Sequence, residues 1–163
     1  MGAFIDNESS DPALSPYSHA AGYTKCERTD LVACSDIRTD VMKIAGDTYN
    51  IQEKNQYTDY KNMILETKPD IVSVATQPEQ RAEVVIFAAN NGAKAIYAEK
   101  AMSASLDECY EMSDACIKNN VAFNLGTNRR YDSGFNSMAN FIKKGNLGKL
   151  KTLVAYCTGS LFN

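Results

Sequence analysis

The sequence predicts an α/β fold built on a doubly wound, mostly parallel sheet. Three observations predict it. Short apolar runs alternate with longer stretches of helical periodicity between Leu31 and Tyr156. Such alternation implies right-handed crossovers with helices on both faces of a sheet. One run, Ile71-Val72-Ser73-Val74-Ala75, is β-branched and apolar on both faces, as a strand covered on two sides is. Finally, helix start and stop signals punctuate the gaps between runs: Pro78, Gly92, the Ser105–Glu108 pair and Gly145.

Each element follows from local chemistry. Residues 1–25 carry Pro12 and Pro16 among Ser, Asp and Asn, and read as an irregular segment. Leu31-Val32-Ala33-Cys34 reads as a buried strand ended by Ser35-Asp36. Val41, Met42, Ile44 and Ala45 give residues 39–49 a helical stripe. A second helix, residues 60–66, stops at Lys68-Pro69-Asp70, and the strand 71–75 follows. Pro78 can open the next helix, because its missing N–H is not needed in the first turn. Ala82, Val85, Ile86 and Ala89 form its stripe and Gly92 its stop. Ala95-Ile96-Tyr97-Ala98 is the next strand. Ser105-Leu106-Asp107-Glu108 has the form of a capping box. Leu106, Cys109, Tyr110, Ser113, Cys116 and Ile117 continue the inner face of that helix. Val121 to Leu125 is a further strand, residues 131–144 a helix ended by Gly145, and residues 150–156 the beginning of a new strand.

Composition narrows the function. Apolar residues make up 44% and charged residues 23% of the 163, as in ordinary soluble globular proteins. A net charge of −3 argues against nucleic acid as a partner. No apolar run reaches the roughly 18 residues of a membrane span, and no secretory signal opens the chain. The five cysteines lack paired spacing and His19 is the single histidine, so neither a disulfide framework nor a zinc site is expected. Reduced thiols in turn imply the cytoplasm.

In a doubly wound sheet, ligands bind beyond the carboxyl ends of the strands. Those ends here are Ser35-Asp36, Thr76-Gln77-Pro78, Glu99-Lys100 and Gly126-Thr127-Asn128. Asp36 can accept from both ribose hydroxyls of an adenosine and would repel a 2′-phosphate, favouring NAD over NADP. Arg38 nearby could accommodate that phosphate. Asp36 could equally cap the following helix. Lys100 can donate to a substrate hydroxyl or carbonyl, with Glu99 to orient it. The same pair also fits a solvated ion pair. Thr76 and Pro78 supply either a turn open to a cofactor or simply a helix start. Asn128, with Arg129 and Arg130, offers an amide and two cations, a pattern equally common on solvated surfaces.

These pieces, in this order and spacing, resemble the Gfo/Idh/MocA family of oxidoreductases. The match rests on residues 31–36, Tyr57-Thr58-Asp59-Tyr60, residues 69–76, Ala98-Glu99-Lys100, residues 126–131 and residues 145–150. It covers about residues 18–156. The resemblance implies a Rossmann-like NAD(P)-binding domain over 26–126 and the start of a substrate and oligomerisation domain over 127–163. It implies oxidation of a sugar or polyol hydroxyl, or the reverse, with hydride passing to or from NAD, NADP being the alternative. It places Lys100 near the reacting hydroxyl and gives cofactor contacts to Gly2, Asp36, Thr76, Pro78, Glu99, Lys100 and Asn128. It also implies a homo-oligomer at full length.

There are departures from the family pattern. Its Glu-Lys-Pro reads Glu99-Lys100-Ala101, and Arg81 or a neighbour replaces the histidine after its threonine–proline turn. Gly2 resembles the last glycine of a Gly-x-Gly-x-x-Gly turn, with the first strand and two glycines lacking upstream. The family's Asp-x-x-x-His acid–base pair would fall beyond Asn163. The chain is therefore expected to be truncated at both ends, with two exposed strand edges and weak dinucleotide binding. The alternative reading is a non-catalytic nucleotide-binding or assembly subunit, or an inactive gene fragment, of the same fold. A methyltransferase on a related sheet is a weaker reading, since no methyl-acceptor site is apparent.

Overall fold

Short parallel strands joined by amphipathic helices build the chain, as seen in a computed structural model that describes residues 16–156. It divides into two units, one ending at Gly126 and the other beginning at Thr127.

In the first unit, α1 (His19–Lys25) is opened by Ser18, whose side chain accepts from the Ala21 N–H. Helix α1 corrects the expected irregular segment over residues 1–25. Pro12 and Pro16 lie upstream of it, so neither breaks it. β1 (Cys34–Ser35) pairs in parallel with β2 (Gln56–Tyr57), and α2 (Thr39–Tyr49) connects them. β1 is shorter than expected and sits toward the end of its run. Only Cys34 and Ser35 find a partner; Leu31, Val32 and Ala33 remain outside any ladder. β2 was not expected as a strand, because two residues carry no alternation to read.

α3 (Tyr60–Thr67), capped by Asp59, leads into β3 (Ile71–Val74). β3, β4 (Ala95–Ala98) and β5 (Ala122–Leu125) form a second, all-parallel sheet with β4 central. α4 (Pro78–Asn90) and α5 (Leu106–Lys118) are the crossovers. Because the three strands pair in parallel, their carboxyl ends face the same way. Among the described residues β1 and β3 are not paired to each other, and each has one neighbour.

The core lies between this sheet and its helices. Val72, Val74, Ile96 and Ala98 meet Val85, Ala88, Met112 and Cys116. Each large side chain here contributes about 1.5–3 kcal/mol by leaving water. β3 is not covered on both sides as expected: Val72 and Val74 are buried, but Ile71 is 41% exposed and Ser73 is exposed. The inner face of α5 also differs. Met112 and Cys116 are buried, whereas Leu106, Tyr110 and Ile117 face solvent. The capping box at α5 is half formed: Ser105 accepts from the Glu108 N–H at 3.2 Å, while the Glu108 carboxylate bonds Ser103 Oγ instead of reaching back.

In the second unit a 3-10 turn, Asn128–Tyr131, precedes α6 (Ser133–Lys143), so the expected single helix from Tyr131 is divided. Asp132 makes the division by capping α6, accepting from the Phe135 N–H at 3.0 Å. Gly145 follows at φ +77°, a left-handed stop suited to glycine. Residues 150–156 form no strand: no partner pairs with them among the described residues.

Candidate functional site

The carboxyl ends of the strands carry the polar side chains. At the end of β1, the Asp36 N–H donates to the Tyr57 carbonyl at 3.1 Å, which extends the pairing with β2 by one bond. Asp36 Oδ1 accepts from the Arg38 N–H at 2.8 Å, closing a tight turn. Asp36 is therefore not the cap of α2; that position belongs to Arg38, which makes no side-chain cap bond. One carboxylate oxygen is engaged by the turn and the other, Oδ2, is left to accept. The Arg38 guanidinium grips Asp40 at 2.7 Å and 3.3 Å, which raises its own pKa and lowers that of Asp40. Burial pushes the neighbouring Cys34 thiol up, and the Asp36 charge adds to this.

At the end of β3, Thr76 begins the turn into α4 and Pro78 occupies the first turn of that helix. Arg81 is 2% exposed, and its guanidinium donates to the carbonyls of Thr76 and Ala101. It therefore ties the turn after β3 to the turn after β4. Loss of water lowers its pKa, and the charge of Glu99 opposes that shift. Thr76 Oγ1 is buried without a hydrogen-bond partner, an uncommon condition in a folded protein.

At the end of β4, the Glu99 N–H donates to the Val74 carbonyl at 2.9 Å. Its carboxylate is shared: Oε2 accepts from the Lys100 N–H at 3.1 Å, and Oε1 lies 3.1 Å from His19 Nε2. Gly126, after β5, backs this carboxylate closely; a Cβ there would come within 3.1 Å of Glu99 Oε1. Lys100 itself is exposed, and the peptide that joins it to Ala101 is cis.

The structure thus brings Thr76, Pro78, Glu99 and Lys100 to adjoining strand ends, with Asp36 at the end of β1. Asn128 opens the 3-10 turn of the second unit. Gly2 lies outside the described residues. His19 and Ser73 were not anticipated as members of the cluster. A lone histidine in a segment read as irregular carries no periodic signal; the Ser18 cap before it was the one available clue. In the sequence Arg81 stands out only as the replacement of a histidine; its burial between two turns is a tertiary fact. Among the described residues no group of acidic, histidine or cysteine side chains could hold a metal ion.

Residues 13–127 match the oxidoreductase family with an NAD-binding Rossmann fold. The chain belongs to this family. Its NAD-binding Rossmann fold is therefore the arrangement of parallel strands and crossover helices described above. Inositol 2-dehydrogenase of Salmonella paratyphi B is 31% identical over 121 residues, 74% of this chain and 35% of that protein. The crystal structure of myo-inositol 2-dehydrogenase from Lactobacillus plantarum superposes with a TM-score of 0.73 at 26% identity, covering 80% of this chain and 38% of that one. Scyllo-inositol dehydrogenase from Lactobacillus casei, solved with NAD(H) and scyllo-inositol, gives 0.74 at 19% identity over 80% and 38% of the two chains, a likeness of fold. The chain spans about a third of the length of the curated relatives that it matches.

Proposed function

We propose that this chain is the nucleotide-binding part of an NAD-dependent dehydrogenase that acts on a polyol or sugar hydroxyl. The observation that carries the reading is the set of acceptors at the strand ends. Asp36 keeps Oδ2 available, and Thr76 Oγ1 is buried and unpartnered. These residues fit a dinucleotide: Asp36 would hold the adenosine ribose, and Thr76 and Pro78 would line the turn beside it. With Arg38 already committed to Asp40, the negative Asp36 is the dominant charge for a ribose, which favours NAD over NADP. When bound, the nicotinamide supplies the hydride acceptor. Lys100 Nζ would hydrogen-bond the reacting oxygen of the substrate and assist its proton transfer. Glu99 would fix the turn that carries Lys100.

The inositol dehydrogenases among the relatives favour a cyclic polyol as the substrate class. We further assign the protein to the cytoplasm and to a homo-oligomer at full length. Four described cysteines are free thiols, and no described helix is long and apolar enough to cross a membrane.

The test is a calorimetric titration of the folded chain with NAD and NADP, with far-UV circular dichroism as the folding control. Tighter binding of NAD is expected. A folded chain that prefers NADP would sink the proposal.

A further inference from the structure

A polar relay crosses the first unit, and the reaction proposed above does not yet use its first member. His19 opens α1 and lies against two strands. Its Nδ1 meets Ser73 Oγ on β3 at 2.5 Å, and its Nε2 meets Glu99 Oε1, just past β4, at 3.1 Å. The imidazole stands edge-on to the Tyr97 ring, 4.6 Å between centroids at 73°. Tyr23, one helical turn along the same face of α1, also bonds Ser73.

The imidazole therefore has both nitrogens engaged and an aromatic ring beside it. The side chains of His19 and Glu99 are 17% and 15% exposed, so water screens their contact far less than it would at the open surface. Gly126, just after β5, lies against the same carboxylate, so close that a Cβ there would come within 3.1 Å of Oε1. Its second oxygen, Oε2, is the one that accepts the Lys100 N–H.

We propose that His19 is a positioning residue for the turn that carries Lys100. By holding Glu99 Oε1, it presents Oε2 to the Lys100 N–H and so sets the main-chain direction from which the lysine side chain departs. The consequence for catalysis rests on the reading of Lys100 as the group at the reacting hydroxyl. The positional role itself is a property of the chain without nucleotide.

Two amide substitutions separate the contacts. The Gln amide nitrogen reaches about as far as Nε2, and the Asn side chain about as far as Nδ1. H19Q therefore keeps the Glu99 contact and gives up Ser73, whereas H19N keeps Ser73 and gives up Glu99. The measurement is backbone amide exchange at Lys100 by NMR on the full chain without nucleotide, beside thermal unfolding. H19N should speed exchange at Lys100 roughly three- to tenfold, the size of one hydrogen bond, while H19Q stays within about twofold of wild type. Equal exchange at Lys100 in both variants overturns the proposal. So does a rise in both that follows a common loss of stability. Should H19N fail to fold, S73A carries the test. It leaves the Glu99 contact intact, so Lys100 must stay near wild type; a tenfold rise would give the role to Ser73 instead. NADH titration of wild type tests the dehydrogenase reading separately, and either result can fail without the other.

Discussion

Asp36 divides its two oxygens between a turn and an open side, and that division makes its substitution informative. Asp36→Ala should weaken NADH binding about ten- to a hundredfold, the loss of hydrogen bonds to a charged acceptor, with the unfolding midpoint moving little. Calorimetry beside thermal unfolding reads both quantities. Arg81 is a different case, because its guanidinium serves the protein's own carbonyls at Thr76 and Ala101. Arg81→Met should cost roughly 2–4 kcal/mol in stability, since two carbonyls lose their donor in a buried place; denaturant unfolding measures it. The thiols provide a pH readout. Hydrogen bonding from Arg28 and Thr29 lowers the pKa of Cys26, whereas burial raises those of Cys34 and Cys116. The thiolate is the reactive form, so as pH rises iodoacetamide should label Cys26 first and the other two later. Peptide mapping across a pH series would show the order. At this scale the sequence was legible where a residue ends a strand, as Asp36, Thr76 and Glu99 do. It was silent where a side chain acts across elements, as His19 does.

The helices were the most legible elements. Residues 39–49 and the Pro78 helix follow directly from their spacing and end signals, because a helix closes its hydrogen bonds within itself. Strands depend on partners, which explains the shortened β1 and the unannounced β2. α5 shows the limit of periodicity. Its expected inner face runs through Leu106, Cys109, Tyr110, Ser113, Cys116 and Ile117, and the fold buries only Cys116 of these, together with Met112. Met112 is fully buried, so Met112→Ala should cost about 2–5 kcal/mol, whereas Leu106→Ala, at an exposed site, should stay within about 0.5 kcal/mol. Chemical denaturation of both variants checks the contrast, and equal losses would show that the exposed stripe is covered in solution.

Over the whole molecule, the two sheets differ in how well each is supported. β4 is bonded on both sides and its Ile96 and Ala98 share the buried core with residues of α4 and α5, while β1 and β2 share a two-residue ladder. Hydrogen exchange should therefore be slowest in β4 and much faster in β1 and β2; comparable protection in both sheets would refute this ranking. The doubly wound plan was legible because strand and helix alternate from end to end. The separation of the two sheets follows from pairing, which no single run discloses. α1 spans that separation. Ser18 Oγ lies 3.0 Å from Tyr49 Oη on α2, and His19, the very next residue, bonds Ser73 and Glu99. Two adjacent residues thus serve opposite halves of the unit, and the bridge has almost no slack. One residue inserted between them would swing all that follows by about 100° around the helix axis, so that only one half could be reached at a time. The same insertion in the exposed stretch after Cys26 would be absorbed by the loop. The junction is thus a gauge: its two contacts hold only while Ser18 and His19 stay adjacent in the chain.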